Sequence, residues 1–357
     1  MNVLQLAKYY PPIYGGIELV EKMITKSYSE NGDQVIIHAF DKKNKIEFGE
    51  FGEKVYRLNE NLNLVGAPIS FAYIFNFKKL ILKENIQYIY VHLPNPFMHE
   101  LIRFYQKILK KQKIKIIGVY HSDIINKGFL GKLYNTYFKK TVAVYDKIIV
   151  SSENLWNSSK ILSDIDISTR VVVPFCIEEF TRKIIPANEN RKKLISIGRL
   201  VPYKGFEFLI NTFNDTEFEL HIVGNGPLLD SLKKQCSNNV HIHHNLNHEL
   251  KNQMLSSADL LVVGSINRAE AYGMTIVEAF YCGIPVIAPN IDSGVTYLVQ
   301  EGVTGFIYQV LNKEMLLEKT RLAISDQNQL DQIKKNINKF YIENLSYDCF
   351  RKGILKI

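Results

Sequence analysis

The sequence lacks paired cysteines. Its four cysteines lie at positions 176, 236, 282 and 349, and this spacing fits neither a disulfide framework nor a set of metal ligands. It also lacks an apolar run long enough to span a bilayer, and the short, polar stretch from Met1 to Lys8 is not typical of a signal peptide. Together these absences favour a cytoplasmic protein in a reducing compartment.

Acidic residues are scarce in one segment. Between Leu101 and Lys147 there are eleven Lys and Arg residues but two acids, a net charge of +9, while the whole chain carries +8. The cations alternate with apolar residues at helical spacing, which is typical of helices that lie on an anionic membrane surface. Ordinary amphipathic helices with solvated faces are the alternative. Nucleic-acid binding is a further alternative, but no recognised nucleic-acid motif accompanies the charge.

Length and hydrophobic pattern predict two domains. The chain has 357 residues, more than one core usually organises, and 46% of them are hydrophobic. Short apolar strands alternate with helices through both halves, which predicts an α/β protein with two doubly wound parallel sheets. We place the first domain at 1–176, the second at 190–338 and a final helical segment at 339–357, with a polar linker over 176–190.

Two carboxylates mark the most informative stretch, Ser265 to Pro289. Glu270 precedes a break at Tyr272-Gly273, and Glu278 lies on a predicted helix over 274–281. The free N–H groups at the start of that helix suit a phosphate. Glu278 would then accept hydrogen bonds from a ribose diol and Glu270 from a second hydroxylated group. A buried helix start with two solvated acids is the structural alternative.

Two cations lie in the turn Gly198–Gly205, which follows the first strand of the second domain. Arg199 and Lys204 suit a diphosphate, since they neutralise a leaving group without a metal, although two surface cations would look the same. Gly224 belongs to a Gly-x-Gly turn without the third glycine of a dinucleotide fingerprint. We predict that this turn borders a nucleotide, and the incomplete fingerprint disfavours a nicotinamide-dependent oxidoreductase.

The first domain offers weaker signals. Gly15 and Gly16 end a long loop after the first strand, at the edge where parallel sheets bind ligands. His121 ends another strand, where it would donate to a developing charge or hold a substrate hydroxyl. Asp164-Ile165-Asp166 has the form of a metal-binding pair, but its polar turn leads us to predict no metal site.

In combination these blocks resemble the retaining glycosyltransferases of family 4, which have the GT-B fold of two Rossmann-like domains facing a central cleft. The blocks are Gly15-Gly16, Gly198-Arg199 with Lys204-Gly205, and Glu270-x7-Glu278 followed by Gly283-x-Pro285. Tyr120-His121-Ser122-Asp123 and His92-Leu93-Pro94-Asn95-Pro96 are similar to bacterial O-antigen mannosyltransferases in particular.

The resemblance implies roles for matching residues. Arg199 and Lys204 would hold the donor diphosphate, Glu278 the ribose and Glu270 the transferred sugar, with His121 facing that sugar. The remaining donor-binding positions would be backbone or turn positions, namely Gly15, Gly16, Gly224, Tyr272, Gly273, Met274 and Thr275. The last helix would cross back to the first, acceptor-binding domain.

The same resemblance implies a reaction and a setting. A hexose, with GDP-mannose as the expected donor, would pass with retention to a polyprenyl-diphosphate-linked glycan at the inner face of the cytoplasmic membrane, without a metal cofactor. The leaving diphosphate would help to deprotonate the acceptor hydroxyl. One departure, His243-His244-Asn245-Leu246 beside the expected base, leaves a UDP-sugar donor open.

Overall fold

The computed structural model describes the chain except residues 14, 65–66, 126–127 and 182–191. It divides into two compact units, Met1–Glu178 together with Tyr347–Ile357, and Glu179–Ser346. Most of the predicted linker over 176–190 lies outside the described residues. Among the helices that are described, none is both long and apolar enough to cross a bilayer.

The first unit is built on a mainly parallel sheet. The strands of this unit are β1 Asn2–Leu6, β2 Gln34–Asp41, β3 Lys45–Phe48, β4 Lys54–Asn59, β5 Leu62–Leu64, β6 Ala67–Ile69, β7 Tyr88–Leu93, β8 Lys115–Tyr120, β9 Lys147–Val150 and β10 Arg170–Val172. Strands β5 and β6 form a separate hairpin. The sheet order is β10-β9-β8-β7-β1-β2-β4-β3, and only β3 in this order runs antiparallel to its neighbour. Strand order reverses between β1 and β7, so the carboxyl ends of these two strands form the crevice where ligands bind in such sheets.

Helices cover this sheet on both faces. They are α1 Gly16–Ser29, α2 Phe71–Lys83, α3 Pro96–Lys111, α4 Gly128–Thr141 and α5 Glu153–Ser158. Helix α3 begins where the Asn95 side chain accepts from the N–H of Met98 and Pro96 occupies the first turn, a favoured helix start. The aromatic pairs Phe77–Tyr105 and His99–Phe138 place α2, α3 and α4 side by side.

The second unit contains a fully parallel sheet. Its strands are β11 Lys193–Ile197, β12 Glu219–Val223, β13 Val240–His243, β14 Leu260–Val262, β15 Val286–Pro289 and β16 Gly305–Tyr308. The order is β13-β12-β11-β14-β15-β16, so the direction of winding reverses between β11 and β14. The loops that follow these two strands therefore meet at the carboxyl edge of the sheet.

The remaining helices complete both units. They are α6 Phe206–Phe213, α7 Leu229–Lys233, α8 His248–Ser256, α9 Met274–Tyr281, α10 Gly294–Leu298, α11 Lys313–Ser325, α12 Gln327–Phe340 and α13 Tyr347–Ile354. The last of these, α13, belongs to the first unit, where it packs on α1. Two doubly wound parallel-sheet units with a returning C-terminal helix confirm the predicted fold class.

Candidate functional site

The loops after β11 and β14 pack directly on each other. Gly205 has a φ of +66°, and a Cβ added there would lie 1.9 Å from the carbonyl oxygen of Gly264. The N–H of Ile266 also donates to the carbonyl of Tyr203 at 2.9 Å. Only glycine permits both this backbone conformation and this approach. The close packing brings the predicted Lys204 turn and the predicted Glu270 loop together.

Lys204 and Glu270 form an ion pair at this edge. Lys204 Nζ lies 2.5 Å from Glu270 Oε2, and the Ser265 hydroxyl donates to the same oxygen at 2.8 Å. Burial alone would lower the pKa of Lys204, but the Glu270 carboxylate outweighs it and the pKa is raised. The three side chains line one pocket together with Thr275. Lys204 is therefore charged and lies in a pocket where it can bind an anion.

Arg199 lies on the exposed side of the same turn. Its guanidinium makes no ion pair with any residue that the structure describes. Its charge nevertheless acts on Lys204, whose pKa it lowers slightly against the dominant effect of Glu270. Two cations of this kind suit a diphosphate, because Arg offers a planar fork and Lys a point charge.

The N-terminus of α9 adds a third source of positive potential. Gly273 precedes the helix with a φ of +90°, and no side chain caps the first N–H groups. Tyr272 is buried beside it, and Thr275, in the first turn, lines the pocket. Uncapped N–H groups and the helix dipole attract anions. The predicted residues Tyr272, Gly273, Met274 and Thr275 thus form a helix start next to the Lys204–Glu270 pair.

Glu278 lies in the second turn of α9 and is mostly buried. Its Oε1 accepts from Lys251 Nζ of α8 at 2.7 Å, while its Oε2 has no hydrogen-bond partner among the described residues. A buried carboxylate oxygen without a donor is costly unless a ligand or water supplies one. The free oxygen is therefore available to a hydroxyl.

Gly224 has a packing role. A Cβ at this position would lie 1.9 Å from the carbonyl oxygen of Gly198, so the turn after β12 supports the turn that carries Arg199. The N–H of Gly224 donates to the carbonyl of His243, and Asn245 N–H donates to the side chain of Asn225. The turn therefore links the two segments predicted to border the nucleotide. Donor binding by Gly224 stays a prediction.

The predicted residues of the first unit lie at the carboxyl edge of its own sheet. Gly15 precedes α1 without a side-chain cap, and Gly16 is the first residue of that helix. His121 follows β8, and its N–H donates to the carbonyl of Leu93 at 2.9 Å. The His121 ring stacks on His92 with 5.3 Å between centroids, and burial lowers the pKa of His121 to about 3. His121 is therefore neutral at physiological pH.

Four polar residues beside these sites were missed from the sequence. Ser265 and Lys251 contact the two glutamates, while His92 contacts His121 and Gln5 contacts His92. Ser265 stands only five positions before Glu270, a local spacing that offered a signal. His92 belongs to the block His92–Pro96, which gave no role for its side chain, whereas Gln5 and Lys251 lie in no motif and reach these sites only through the fold.

Comparisons with known proteins extend over nearly the whole chain. A family model described as "Glycosyl transferases group 1" matches residues 177–340, and one described as "Glycosyltransferase Family 4" matches 14–157. O-antigen chain mannosyltransferase C of Escherichia coli is 26% identical over 98% of this chain and 95% of that protein. D-rhamnosyltransferase WbpZ of Pseudomonas aeruginosa is 27% identical over 96% of this chain and 91% of that protein.

A solved structure has the same fold. The Anabaena protein Alr3699/HepE, in complex with UDP and glucose, superposes with a TM-score of 0.73 at 18% identity. The match covers 99% of this chain and 98% of that chain. At this level of identity the likeness shows a common fold.

Proposed function

Since the chain is a glycosyltransferase with the GT-B fold, we propose that it transfers a hexose from a nucleoside diphosphate sugar with retention at the anomeric carbon. The acceptor is a lipid-linked glycan in surface polysaccharide synthesis of the O-antigen type. The second unit binds the donor and the first unit binds the acceptor.

One observation carries this proposal: Lys204 is held charged by Glu270 beside the uncapped start of α9. The donor diphosphate displaces part of the Lys204–Glu270 contact, so that Lys204 and Arg199 meet phosphate oxygens. Glu270 is then free to accept hydrogen bonds from the transferred sugar. Lys204 and Glu270, which pair in the free protein, thus bind the diphosphate and the sugar of the donor, respectively.

Retention follows from a reaction on one face of the sugar. As the glycosidic oxygen of the diphosphate departs, its developing negative charge is stabilised by Arg199, Lys204 and the N–H groups of Met274 and Thr275. A phosphate oxygen takes the proton of the incoming acceptor hydroxyl. No protein carboxylate acts as nucleophile, and the two cations supply the charge that a metal would otherwise provide.

GDP-mannose is the proposed donor. The two bacterial relatives are named for mannose and D-rhamnose transfer. D-rhamnose is 6-deoxy-D-mannose, so both names specify the manno configuration. A UDP-sugar is the second candidate, because the Anabaena protein of the same fold binds UDP.

A thermal-shift panel tests the donor. With GDP, UDP, GDP-mannose and UDP-glucose at equal concentration, we expect GDP and GDP-mannose to raise the midpoint of unfolding most, because ligand binding stabilises the folded state. Each measurement is made with and without EDTA, which should not reduce the shift. A larger shift with the UDP compounds would identify a UDP-sugar as the donor in place of GDP-mannose. The absence of a shift with any nucleotide would overturn the proposal.

Substitutions of Glu278 and Glu270 should distinguish binding of the nucleotide from binding of the sugar. We expect Glu278→Gln to weaken GDP and GDP-mannose equally, by about 10-fold, because one charge-assisted hydrogen bond to the ribose is lost. The matched change Glu270→Gln should weaken GDP-mannose and leave GDP binding undiminished, since it frees Lys204. Calorimetric titration measures both. If Glu270→Gln weakens the binding of GDP and GDP-mannose equally, Glu270 does not contact the sugar.

The exposed face of α2 and α3 supports membrane association. Phe104 on α3 is 80% exposed and Phe75 on α2 is 73% exposed, both with exposed lysines on the same helix. Exposed aromatic rings beside cations suit an anionic lipid surface. The α2 aromatics lie outside the predicted segment over 101–147, of which 126–127 is not described. We propose that this face holds the first unit on the membrane that carries the acceptor.

Charge reversal on α3 tests that association. We expect Lys107→Glu, Lys110→Glu and Lys111→Glu together to weaken binding to phosphatidylglycerol vesicles by at least about 10²-fold, from roughly 1 kcal/mol per cation. Sedimentation at low salt measures this. The matched control reverses three exposed lysines of α12 in the second unit, Lys334, Lys335 and Lys339. Equal loss in both variants, or no binding by the parent protein, would contradict the proposal.

A further inference from the structure

A buried chain of side chains connects three neighbouring strands of the first unit. Gln5 lies on β1, His92 on β7, and His121 directly after β8. His92 Nδ1 is 3.0 Å from His121 Nε2, and His92 Nε2 is 3.2 Å from Gln5 Oε1. Gln5 is fully buried and His92 is 4% exposed, whereas His121 is partly exposed. These hydrogen-bonded side chains therefore extend from the interior to His121, a predicted ligand-binding residue.

The orientation of Gln5 is fixed by a carbonyl group. Gln5 Nε2 lies 3.1 Å from the backbone oxygen of Glu21 on α1 and 2.7 Å from the hydroxyl of Thr25. A backbone carbonyl only accepts hydrogen bonds, so the atom facing it must be the amide NH2 group. The other atom, Oε1, can then only accept. Its partner, His92 Nε2, must carry a hydrogen and donate it.

The proton positions on the two rings follow. Burial and the neighbouring His121 hold the pKa of His92 well below its ordinary value, so the His92 ring is neutral and has one N–H. With that hydrogen on Nε2, His92 Nδ1 is a bare acceptor. His121 Nε2 must therefore donate to it. In a neutral His121 ring, the hydrogen on Nε2 leaves Nδ1 with a free lone pair.

The other titratable group near the rings does not change this assignment. Glu21 is fully buried on α1, and its Oε1 lies 3.9 Å from His92 Nδ1, beyond hydrogen-bond distance. Burial, and then the nearby Glu18, raise the pKa of Glu21 well above its ordinary value, which favours the uncharged acid. Uncharged, Glu21 does not favour an imidazolium at His92.

We propose that Gln5 and His92 hold His121 in its Nε2-protonated tautomer, so that His121 meets its ligand through Nδ1 as a hydrogen-bond acceptor. Resting on the proposed function, this assigns His121 to a hydroxyl of a sugar and not to a phosphate oxygen. A phosphate oxygen offers no hydrogen to Nδ1, whereas a hydroxyl does. Gln5 and His92 are positioning residues, since both are buried and act through His121.

Nitrogen NMR of the ¹⁵N-histidine-labelled full chain tests the tautomer without any enzymatic assay. Between pH 5.5 and 8 we expect the His121 signals of a protonated Nε2 and a bare Nδ1. In His92→Phe, which keeps a stacked ring but removes the acceptor, these signals should move to a mixture of tautomers. The control, His99→Phe, removes another buried histidine of the same unit and should leave His121 unchanged.

A second variant keeps the test valid if His92→Phe fails to fold. Gln5→Leu removes the acceptor of the His92 Nε2–H group, together with the amide contacts to Glu21 and Thr25, and should produce the same mixture at His121. It should also lower kcat/KM by about 5- to 10-fold, as expected for one misplaced hydrogen bond. An Nδ1-protonated or imidazolium His121 in the parent protein, or an unchanged His121 in both variants, would overturn the proposal. If the tautomer is as expected but no nucleotide binds, only the proposed function fails.

Discussion

Arg199→Ala is expected to lower kcat by about 10²- to 10³-fold while the midpoint of thermal unfolding stays unchanged. The loss has the size seen when one preorganised group that stabilises developing charge is removed. Stability is unaffected because Arg199 is exposed and pairs with no residue that the structure describes. Steady-state kinetics with the donor identified by the thermal-shift panel, together with a melting curve, measure both quantities.

Arg321→Ala is the matched control for that result. Arg321 is an exposed arginine of the same unit, its guanidinium pairs with Glu217, and it does not line the pocket. We expect normal turnover from this variant, since exposed ion pairs contribute little. If Arg199→Ala retains full turnover, or if it loses activity only by unfolding, Arg199 does not belong to the diphosphate site.

Lys204→Met should affect both turnover and stability. The lost cation lowers kcat by about 10²- to 10³-fold or more. It also leaves the Glu270 carboxylate buried with the Ser265 hydroxyl as its remaining partner. Breaking a buried ion pair on one side is costly, and because both side chains keep slight exposure we expect about 2 kcal/mol less free energy of unfolding. Urea denaturation measures that difference.

The double variant Lys204→Met/Glu270→Gln separates the two effects. Removing the stranded charge should restore most of the free energy of unfolding, because the amide needs no cation. Turnover should stay low, since the diphosphate still lacks its lysine. Recovery of turnover in the double variant would mean that Lys204 serves only to neutralise Glu270.

Sequence pattern predicted the buried parts of the fold well. Helix α9 runs over 274–281 as predicted, because its apolar residues end sharply at turn formers. The edge strand Lys45–Phe48 and the hairpin β5–β6 were missed. Lys45–Phe48 alternates charged and exposed apolar residues without a buried face. Its strand conformation depends on pairing with β4, which the local sequence does not encode.

The candidate site was predictable in its residue types but not in its pairings. Arg199, Lys204 and Glu270 stand out because charged residues lie in glycine-bounded turns after strands. Their contact depends on the reversal of strand order between β11 and β14, which becomes visible only with the sheet. The pairing of Lys251 with Glu278 joins two helices through the fold. Roles in binding and catalysis stay predictions until the variants above are measured.

Helix α13 has a consequence for the order in which the protein matures during synthesis. Its buried Phe350 and Ile354 belong to the first unit, and the hydroxyl of Tyr347 donates to the carboxylate of Glu30, directly after α1, at 2.7 Å. The ribosome releases this helix only after the whole second unit has been made. Domains usually fold in the order of their synthesis. Here the first unit cannot complete its folding until α13 has been made. The second unit can therefore be folded while the first unit still exposes the surface that α13 will cover.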